Sequence, residues 1–338
     1  MTTAVHIVFW SRLSFARDLV IARFGAEPGI RFGVAPTLAE CFAALPDADG
    51  LVLYNCRPDD ARTLMDAVRA GAPRLRWMHF LTAGKEGFDA VGIPPHIAVT
   101  QTAGASAPVV AEHAMALLLA LGRRLPEVLA QQAAGQWDRA PAARVSSLEN
   151  RTMAIVGYGR IGREVARRAL AFGMRVVALS RDGRVNEPHA LDGEDQRATH
   201  GRISEPAIEG QPLSALHEVL ARADVVMLAI ALTPQTRHLI DAAALARCRP
   251  GTLLVNVSRG AVIDQSALRN ALASGALGGA SLDVTDPEPP PPDDPLWRTP
   301  NLIVSPHIAV EGSPPTEQRL CEGALAELRR FKAGFALS

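Results

Sequence analysis

The sequence predicts an α/β protein with two doubly wound parallel sheets. In the first hundred residues, short runs of apolar and β-branched residues alternate with amphipathic helical stretches, and a second series of the same kind begins near residue 152. This alternation is typical of parallel strands that are joined by helical crossovers. A length of 338 residues agrees with about two domains.

The periodicity of the apolar residues predicts where the elements lie. In the first series we predict strands at 5–10, 51–54, 77–80 and 98–101, and helices at 37–45 and 59–70. A long helix is predicted at 106–124, after a joint of small residues at 102–105. In the second series we predict strands at 152–156, 175–179, 225–230, 253–257, 279–284 and 302–305, and a helix at 161–172.

The segment 182–212 fits neither series. It is polar and charged and has no apolar periodicity. Compact domains rarely contain so long an irregular loop. We therefore interpret it as a surface insertion after the second strand of the second series.

Composition argues against several classes of protein. Apolar residues make up 48% of the chain, which is enough for a sizeable core and excludes an intrinsically disordered protein. The formal net charge is +0, so no overall field favours nucleic acid or an acidic membrane surface. The four cysteines show no CxxC spacing and are interpreted as reduced thiols, not as a disulfide framework or a zinc site.

The start of the chain and its apolar runs predict the compartment. A strand-like run begins within the first residues, without the basic start and long apolar segment of a secretory signal. The apolar run 114–122 is too short to span a bilayer. We therefore expect a soluble cytoplasmic protein.

A glycine-rich turn at 157–162, Gly-Tyr-Gly-Arg-Ile-Gly, lies between a predicted strand and a predicted helix. Gly157 permits a tight turn, Gly159 lets the backbone approach a pyrophosphate, and Gly162 allows the helix to pack on the strand. The helix N-terminus then offers unpaired N–H groups and partial positive charge to phosphates. A plain glycine turn is the alternative, which the strand–turn–helix setting disfavours.

The end of the next strand predicts which nucleotide is used. NAD enzymes usually carry an acidic residue there that binds the ribose 2′-hydroxyl. This chain has Ser180 and Arg181, followed by Asp182. A hydroxyl and a guanidinium suit a 2′-phosphate, so we predict a preference for NADP(H) that does not exclude NAD(H). The alternatives are that Arg181 is only solvated or that Asp182 reaches the ribose.

Three residues that suit proton transfer and anion binding follow strands of the second series. Arg259, Glu288 and His307 each lie beyond the carboxyl end of a predicted strand, where doubly wound sheets bind their ligands. Histidine can exchange a proton with a carbonyl oxygen near neutral pH, and a carboxylate on its other ring nitrogen fixes the tautomer. Arginine binds a carboxylate without losing its own proton. Taken singly, each residue also has a purely structural interpretation.

Further motifs accompany these residues along nearly the whole chain. They are Val109-Val110-Ala111-Glu112-His113, the turn 157–162, Asn256-Val257-Ser258-Arg259-Gly260, Leu282-Asp283-Val284, Glu288-Pro289 and Ser305-Pro306-His307-Ile308-Ala309. In this order they resemble the D-isomer-specific 2-hydroxyacid dehydrogenase family.

The resemblance implies an architecture. It implies a Rossmann cofactor domain at 104–308 and a flavodoxin-like substrate domain formed by 1–103 and 309–338. It also implies catalysis in the interdomain cleft and a homodimer that forms through the cofactor domain.

The resemblance also implies roles for individual residues. Arg259 binds substrate, His307 is the acid/base and Glu288 pairs with it; Asp283 contacts the nicotinamide carboxamide, and the backbone at 83–85 receives the substrate carboxylate. The predicted cofactor site comprises Gly157, Gly159, Arg160, Ile161, Gly162, Ser180, Arg181, Ala231, Thr236, Val257 and Asp283. The predicted substrate site comprises Ala83, Gly84, Arg259 and His307, and no metal is expected.

A few positions depart from the family's pattern. Ala231 stands where the family usually has proline. Ser180 and Arg181 replace an acidic residue, as in the NADPH-dependent glyoxylate/hydroxypyruvate reductase branch. Glu288 differs from the glutamine of the formate dehydrogenase branch. Glu112 and His113 (next to one another on the long helix) are interpreted as structural.

The leading hypothesis is an NADP(H)-dependent reductase of glyoxylate, hydroxypyruvate or a similar small 2-oxo acid, specific for the D isomer of the product. One alternative is a dehydrogenase of another small anion such as phosphite. Another is a non-catalytic, nucleotide-sensing scaffold similar to a corepressor. Loss of the catalytic trio would favour the scaffold, but all three residues are present.

Overall fold

The computed structural model describes residues 4–82, 84–102, 104–185 and 208–334. The predicted substrate residue Ala83 and most of the segment 182–212 lie outside the described residues. The chain divides into two compact units: unit 1 is Met1–Ser106 with Glu311–Ser338, and unit 2 is Ala107–Val310. Among the described helices, none has the length and apolar character needed to cross a membrane.

The boundaries between the units lie at or shortly before the starts of helices. Unit 2 begins at Ala107, the first residue of a long helix, and unit 1 resumes at Glu311, shortly before the last helix. The predicted boundaries, 103/104 and 308/309, lie a few residues earlier. A helix is one continuously hydrogen-bonded body, so the chain changes unit before the helix and not within it.

Unit 1 contains a five-stranded parallel sheet. Its strands are β1 (Val5–Trp10), β2 (Ile30–Ala35), β3 (Gly50–Leu53), β4 (Trp77–Phe80) and β5 (Ala98–Gln101). Its helices are α1 (Arg17–Gly25), α2 (Leu38–Ala44), α3 (Pro58–Gly71), α4 (Glu86–Asp89) and, from the end of the chain, α11 (Pro314–Lys332). The strand order is β2-β1-β3-β4-β5 with all neighbours parallel, which is the flavodoxin-like order.

The last helix belongs to unit 1 because it covers an apolar part of that sheet. Leu320, Ala324 and Leu328 of α11 are buried, and each buried leucine contributes about 2 kcal/mol of stabilisation. The ring of Phe331 stacks on Trp77 of β4 with 5.4 Å between centroids. The two segments of unit 1, remote in sequence, thus share one core.

Unit 2 contains a seven-stranded parallel sheet. Its strands are β6 (Thr152–Val156), β7 (Arg175–Ser180), β8 (Glu209–Pro212), β9 (Val225–Leu228), β10 (Thr252–Asn256), β11 (Leu277–Leu282) and β12 (Leu302–Val304). Its helices are α5 (Ala107–Gly122), α6 (Leu125–Ala133), α7 (Arg160–Ala171), α8 (Leu216–Leu220), α9 (Ala242–Leu245) and α10 (Gln265–Ala273). The strand order is β12-β11-β10-β9-β6-β7-β8.

The order of strands in unit 2 reverses at β6. Chain order runs from β6 outward through β7 to β8, then returns to β9 on the other side of β6. This is the Rossmann arrangement, in which ligands bind outside the carboxyl ends of the strands at the switch point. The prediction of two doubly wound parallel sheets is confirmed.

The sheet of unit 2 is buried on both faces. Along β6, Ala154 and Val156 pack into one apolar cluster, and Met153 and Ile155 pack into another. Alternate side chains of a strand point to opposite faces, so the two clusters lie on the two sides of the sheet. Continuous apolar runs such as Thr152–Val156 are therefore expected for its central strands.

Two strands lie where the sequence predicts none. The run of β2 is interrupted by Arg31 and Gly33, and β8 contains no large apolar residue. Both are edge strands, which need not be apolar on both faces. The prediction of an irregular segment over 182–212 is wrong at its end, because Glu209–Pro212 pairs in parallel with β7.

Candidate active site

Three neighbouring strands of unit 2 end side by side. The strands β10, β11 and β12 are parallel neighbours, and their ends are joined by backbone hydrogen bonds from Asp283 N to Asn256 O (3.0 Å) and from Ser305 N to Leu282 O (2.8 Å). The three predicted catalytic residues lie on the loops that leave these strands. All three are thereby brought to one edge of one sheet.

The loop that carries Arg259 is shaped by a buried asparagine. Asn256 Nδ2 donates to Arg259 O (2.9 Å), while Asn256 Oδ1 accepts from Ser258 N (3.0 Å) and from Ser258 Oγ (2.7 Å). Such side chain to backbone bonds stabilise a turn. The Arg259 guanidinium donates through Nη1 to Ser258 O (2.7 Å), which orients its planar group.

A glycine holds this loop against the next one. A Cβ atom on Gly260 would lie 2.0 Å from the carbonyl carbon of Thr285, so only glycine fits this close approach. Thr285 in turn donates through Oγ1 to Pro287 O (2.9 Å), one residue before Glu288. The loops of Arg259 and Glu288 therefore pack directly on each other.

Glu288 and His307 form a hydrogen-bonded pair. The distance between Glu288 Oε1 and His307 Nδ1 is 2.6 Å, which is typical of a charge-assisted bond. Donation from Nδ1–H to the carboxylate leaves Nε2 to hold an exchangeable proton. The side chains are 43% and 47% exposed respectively, so a ligand in solution can reach them.

The electrostatics of the pair favour an imidazolium. Hydrogen bonding with Glu288 raises the pKa of His307 above its usual value. The charges of Glu288 and Asp283 raise the pKa too, whereas partial burial and the charge of Arg259 lower it. Partial burial raises the pKa of Glu288, but the hydrogen bond and charge of His307, with the charge of Arg259, outweigh it, and the net pKa is lowered. Arg259 thus acts on both members of the pair.

Asp283 is engaged within unit 2. Its side chain is 1% exposed, and its oxygens accept hydrogen bonds from Ser305 Oγ (2.6 Å), Ile308 N (3.1 Å) and Ala309 N (3.2 Å). The predicted contact of Asp283 with a nicotinamide carboxamide stays a prediction. Sequence reasoning missed Ser305 as a functional candidate, although it stands in the quoted motif, because its partner is remote in sequence.

The glycine turn has the geometry that a pyrophosphate needs. Gly157 has φ +98° and lies so close to the chain after β9 that a Cβ would be 2.5 Å from Ala229 O, whereas a Cβ on Gly159 would meet no heavy atom within 4 Å. The bond from Arg163 N to Gly159 O opens α7, and no side chain caps this helix. The N–H groups of Arg160 and Ile161 come before this first hydrogen bond of the helix. N–H groups at this position of a helix can bind a phosphate.

The residues after β7 fold into a tight turn. Ser180 Oγ donates to Arg184 O (3.0 Å), and Asp182 Oδ1 accepts from Arg184 N (3.2 Å). This backbone hydrogen bond is the main cause that holds the pKa of Asp182 below its usual range. Arg181 is exposed, and no hydrogen bond or ion pair joins it to the described residues. Asp182 is thus hydrogen-bonded within its own turn, and both Asp182 and Arg181 are exposed.

The remaining predicted cofactor residues lie near the same edge. Thr236 Oγ1 donates to Ala231 O (2.7 Å) and accepts from Thr233 N (2.7 Å), which closes the loop after β9. Val257 is 6% exposed and packs in the core. Neither Thr236 nor Val257 therefore offers an unengaged side chain, and contacts with a nucleotide would involve the backbone.

The predicted substrate loop lies in unit 1, after β4. Thr82 Oγ1 donates to Gly84 O (2.8 Å) and accepts from Asn55 N (3.1 Å), which ties the ends of β3 and β4 together. Gly84 is buried, and Ala83 lies outside the described residues. Asn55 Oδ1 is buried and has no hydrogen-bond partner among the described residues.

The glycine turn supports a prediction that separates folding from cofactor binding. A methyl group on Gly162 would lie 2.2 Å from Gly157 O, so Gly162→Ala should destabilise the protein by about 1–3 kcal/mol. Gly159→Ala should leave the melting temperature unchanged, because its methyl group meets no atom, but should weaken binding of NADPH by blocking the pyrophosphate. Thermal unfolding and fluorescence titration with NADPH measure the two effects.

The control is Gly25→Ala at the end of α1, where a Cβ also meets no atom within 4 Å. It should change neither quantity. Unchanged binding of NADPH by Gly159→Ala would show that the pyrophosphate does not lie on this turn.

Comparison with known proteins agrees with this geometry. The family model described as the D-isomer specific 2-hydroxyacid dehydrogenase NAD binding domain matches residues 115–309. The chain is 37% identical over 292 residues to a glyoxylate reductase of Korarchaeum cryptofilum, covering 85% of this chain and 81% of that protein. It is 32% identical to a D-3-phosphoglycerate dehydrogenase of Mycobacterium tuberculosis, covering 85% of this chain but only 50% of that protein.

A solved structure extends the likeness to the whole chain. A D-isomer specific 2-hydroxyacid dehydrogenase family protein from Aeromonas salmonicida is 28% identical and superposes with a TM-score of 0.81, covering 99% of this chain and 98% of that one. With the two strand orders, these matches show that the chain belongs to the D-isomer specific 2-hydroxyacid dehydrogenase family of oxidoreductases, with its NAD-binding domain in unit 2.

Proposed function

We propose that the protein is an NADP(H)-dependent reductase of glyoxylate, hydroxypyruvate or a similar small 2-oxo acid, which it converts to the D-2-hydroxy acid where a stereocentre forms. The observation that carries this proposal is the hydrogen bond of 2.6 Å between Glu288 and His307 beside Arg259. A raised pKa at an exposed histidine is what a proton donor to a carbonyl oxygen requires near neutral pH.

The chain's own residues account for the transfer of the proton and for the binding of the substrate's charged groups. A bound nicotinamide supplies or removes the hydride. His307 donates the proton on Nε2 to the carbonyl oxygen, while Glu288 stabilises the imidazolium through Nδ1 and holds the ring in place. The Arg259 guanidinium binds the substrate's carboxylate and carbonyl oxygens, and so stabilises the negative charge that develops on the latter.

The substrate class follows from the anion-binding groups. The family resemblance supports backbone N–H groups at 83–85 as part of the site for the substrate carboxylate, since Ala83 and Gly84 are small residues that permit a close approach. The likeness to a glyoxylate reductase over 81% of its length supports a small substrate. The phosphoglycerate dehydrogenase relative supports it less, because this chain spans about half of that protein.

The preference for NADP(H) rests on the turn after β7. Asp182, the only acidic residue in 180–184, is hydrogen-bonded to the turn itself through Oδ1, which supports Arg181 over Asp182 as the residue that faces the ribose. Arg181 is exposed beside it. An arginine at this position suits a 2′-phosphate and forms no comparable bond with a neutral ribose.

We further propose a homodimer in the cytoplasm that forms through unit 2. The free thiols of all four cysteines support a reducing compartment.

Leu125 and Leu129 of α6 are 44% and 61% exposed, and Trp137 after it is 98% exposed. Exposed apolar side chains that follow one another in this way favour burial against a second copy.

The first test is turnover by the purified protein. NADPH should be oxidised in the presence of glyoxylate or hydroxypyruvate. Both His307→Ala and Arg259→Ala should lower kcat/KM by about a hundredfold or more, since proton transfer and substrate positioning each contribute on this scale. Binding of NADPH, followed by fluorescence, should persist.

The matched controls are His217→Ala and Arg175→Ala, which remove the same residue types at exposed positions of unit 2. Both should retain wild-type turnover. A double variant of His307 and Arg259 with full activity would contradict the assignment. Turnover of phosphite or D-3-phosphoglycerate alone would overturn the substrate class.

The pH dependence of reduction should follow His307. The imidazolium is the proton donor, so kcat/KM should be high below the pKa of His307 and fall as pH rises through it. Because hydrogen bonding with Glu288 raises this pKa, Glu288→Gln should move the falling limb to lower pH. A limb at the same pH in Glu288→Gln and wild type would show that the pair does not set it.

The nucleotide preference should depend on Arg181. The kcat/KM for NADPH should exceed that for NADH, and Arg181→Ala should lower the value for NADPH about tenfold, the effect of losing hydrogen bonds to a charged group. The value for NADH should change little. Arg175→Ala, at the opposite end of the same strand, is the control, and a wild-type preference for NADH would refute this part of the proposal.

A further inference from the structure

A buried carboxyl group holds the backbone that follows the proposed acid/base. Asp283 stands directly after β11 with its side chain 1% exposed. Its Oδ1 accepts from Ile308 N (3.1 Å) and its Oδ2 from Ala309 N (3.2 Å). These two residues immediately follow His307, so one side chain fixes the path of the chain on one side of the histidine.

His307 needs such support because its backbone is in the left-handed region. Its φ is +55°, a conformation that costs a residue other than glycine about 1 kcal/mol or more. It persists only where surrounding interactions determine it. The side chain is held by Glu288, and the backbone after it is held by Asp283.

A histidine on another element orients this carboxyl group. His113 of α5 places Nε2 3.1 Å from Ser305 Oγ and 3.3 Å from Asp283 Oδ1. Ser305 Oγ donates to Asp283 Oδ1 at 2.6 Å, so the hydroxyl oxygen accepts from His113. The polarity of the bonds assigns the proton of His113 to Nε2.

The three side chains form a continuous relay from α5 to the loop after β12. The order is His113 Nε2–H, Ser305 hydroxyl, Asp283 carboxyl group, and then the two N–H groups that follow His307. A carboxyl group this deeply buried is stable only when its oxygens are hydrogen-bonded. Removing one donor therefore weakens the hold on its orientation.

We propose that His113 and Ser305 are positioning residues for His307, which act by holding the Asp283 carboxyl group in the orientation that fixes Ile308 and Ala309. The inference rests on the proposed function only in its kinetic consequence. The hydrogen-bonded relay exists whatever substrate is turned over. Neither residue touches the reacting atoms, and their effect passes entirely through Asp283.

A role in packing alone makes a different prediction. If His113 only fills space beneath the loop, an apolar residue of similar size should replace it. If it acts as a donor, glutamine should replace it better than leucine, because the glutamine amide nitrogen lies near the position of Nε2. The pair His113→Leu and His113→Gln therefore separates the two roles, and His217→Leu on α8 is an exposed control.

Amide hydrogen exchange of the cofactor-free protein gives a readout that does not depend on activity. Exchange at Ile308 and Ala309 should be faster in His113→Leu than in wild type, and His113→Gln should restore most of the protection. With NADPH and the preferred 2-oxo acid, His113→Leu should lower kcat about tenfold to a hundredfold with little change in KM, as expected when a reacting group is misplaced. His113→Gln should recover most of the lost kcat.

Ser305→Ala removes the middle group of the same relay. If His113→Leu does not fold, Ser305→Ala alone tests the proposal. Ser305→Ala should reproduce the faster exchange and the loss of kcat. A variant that carries both His113→Leu and Ser305→Ala should lose no more kcat than the more strongly affected single variant. Wild-type exchange and kcat in the folded variant or variants would overturn the positioning role. Faster exchange in a protein without turnover of any 2-oxo acid would instead overturn the proposed function and leave the relay intact.

Discussion

The backbone hydrogen bonds that join the ends of β10, β11 and β12 are the constraint on which the candidate site depends. Asp283 N donates to Asn256 O, and Ser305 N donates to Leu282 O, so three loops that are remote in sequence must leave the sheet side by side. Gly260 then allows the first loop to touch the second at Thr285. Because parallel pairing sets these starting points, the positions of the catalytic candidates follow from the sheet.

Two kinds of polar group meet at this edge, and burial distinguishes their roles. Glu288 and His307 are nearly half exposed, so the pair stays open to solvent while its hydrogen bond shifts both pKa values. Asp283 is almost fully buried, and its oxygens accept hydrogen bonds from the loop after β12. The exposed pair suits chemistry, whereas the buried group suits positioning, since moving a buried carboxyl group breaks several hydrogen bonds together.

The glycine turn at 157–162, at the same edge of the sheet, depends on residues that have no side chain. Gly157 and Gly162 are required by the fold, because a Cβ on either would collide with backbone, but a Cβ on Gly159 would meet nothing. The open space at Gly159, in front of the N-terminus of α7, is room that a pyrophosphate on this turn would need. Beyond it, the turn at 180–184 engages Asp182 through Arg184 and leaves Arg181 exposed without a partner among the described residues.

The sequence by itself determined the two parallel sheets and the positions of the glycine turn and of the candidate residues Arg259, Glu288 and His307 after their strands, because apolar periodicity and residue type are local properties. It did not reveal β2 or β8, which are edge strands with little apolar character, nor the exact ends of the two units. Only the tertiary structure decided that His113 reaches Ser305 and Asp283. These residues lie on three different elements, and no local pattern encodes a hydrogen bond between side chains 192 residues apart.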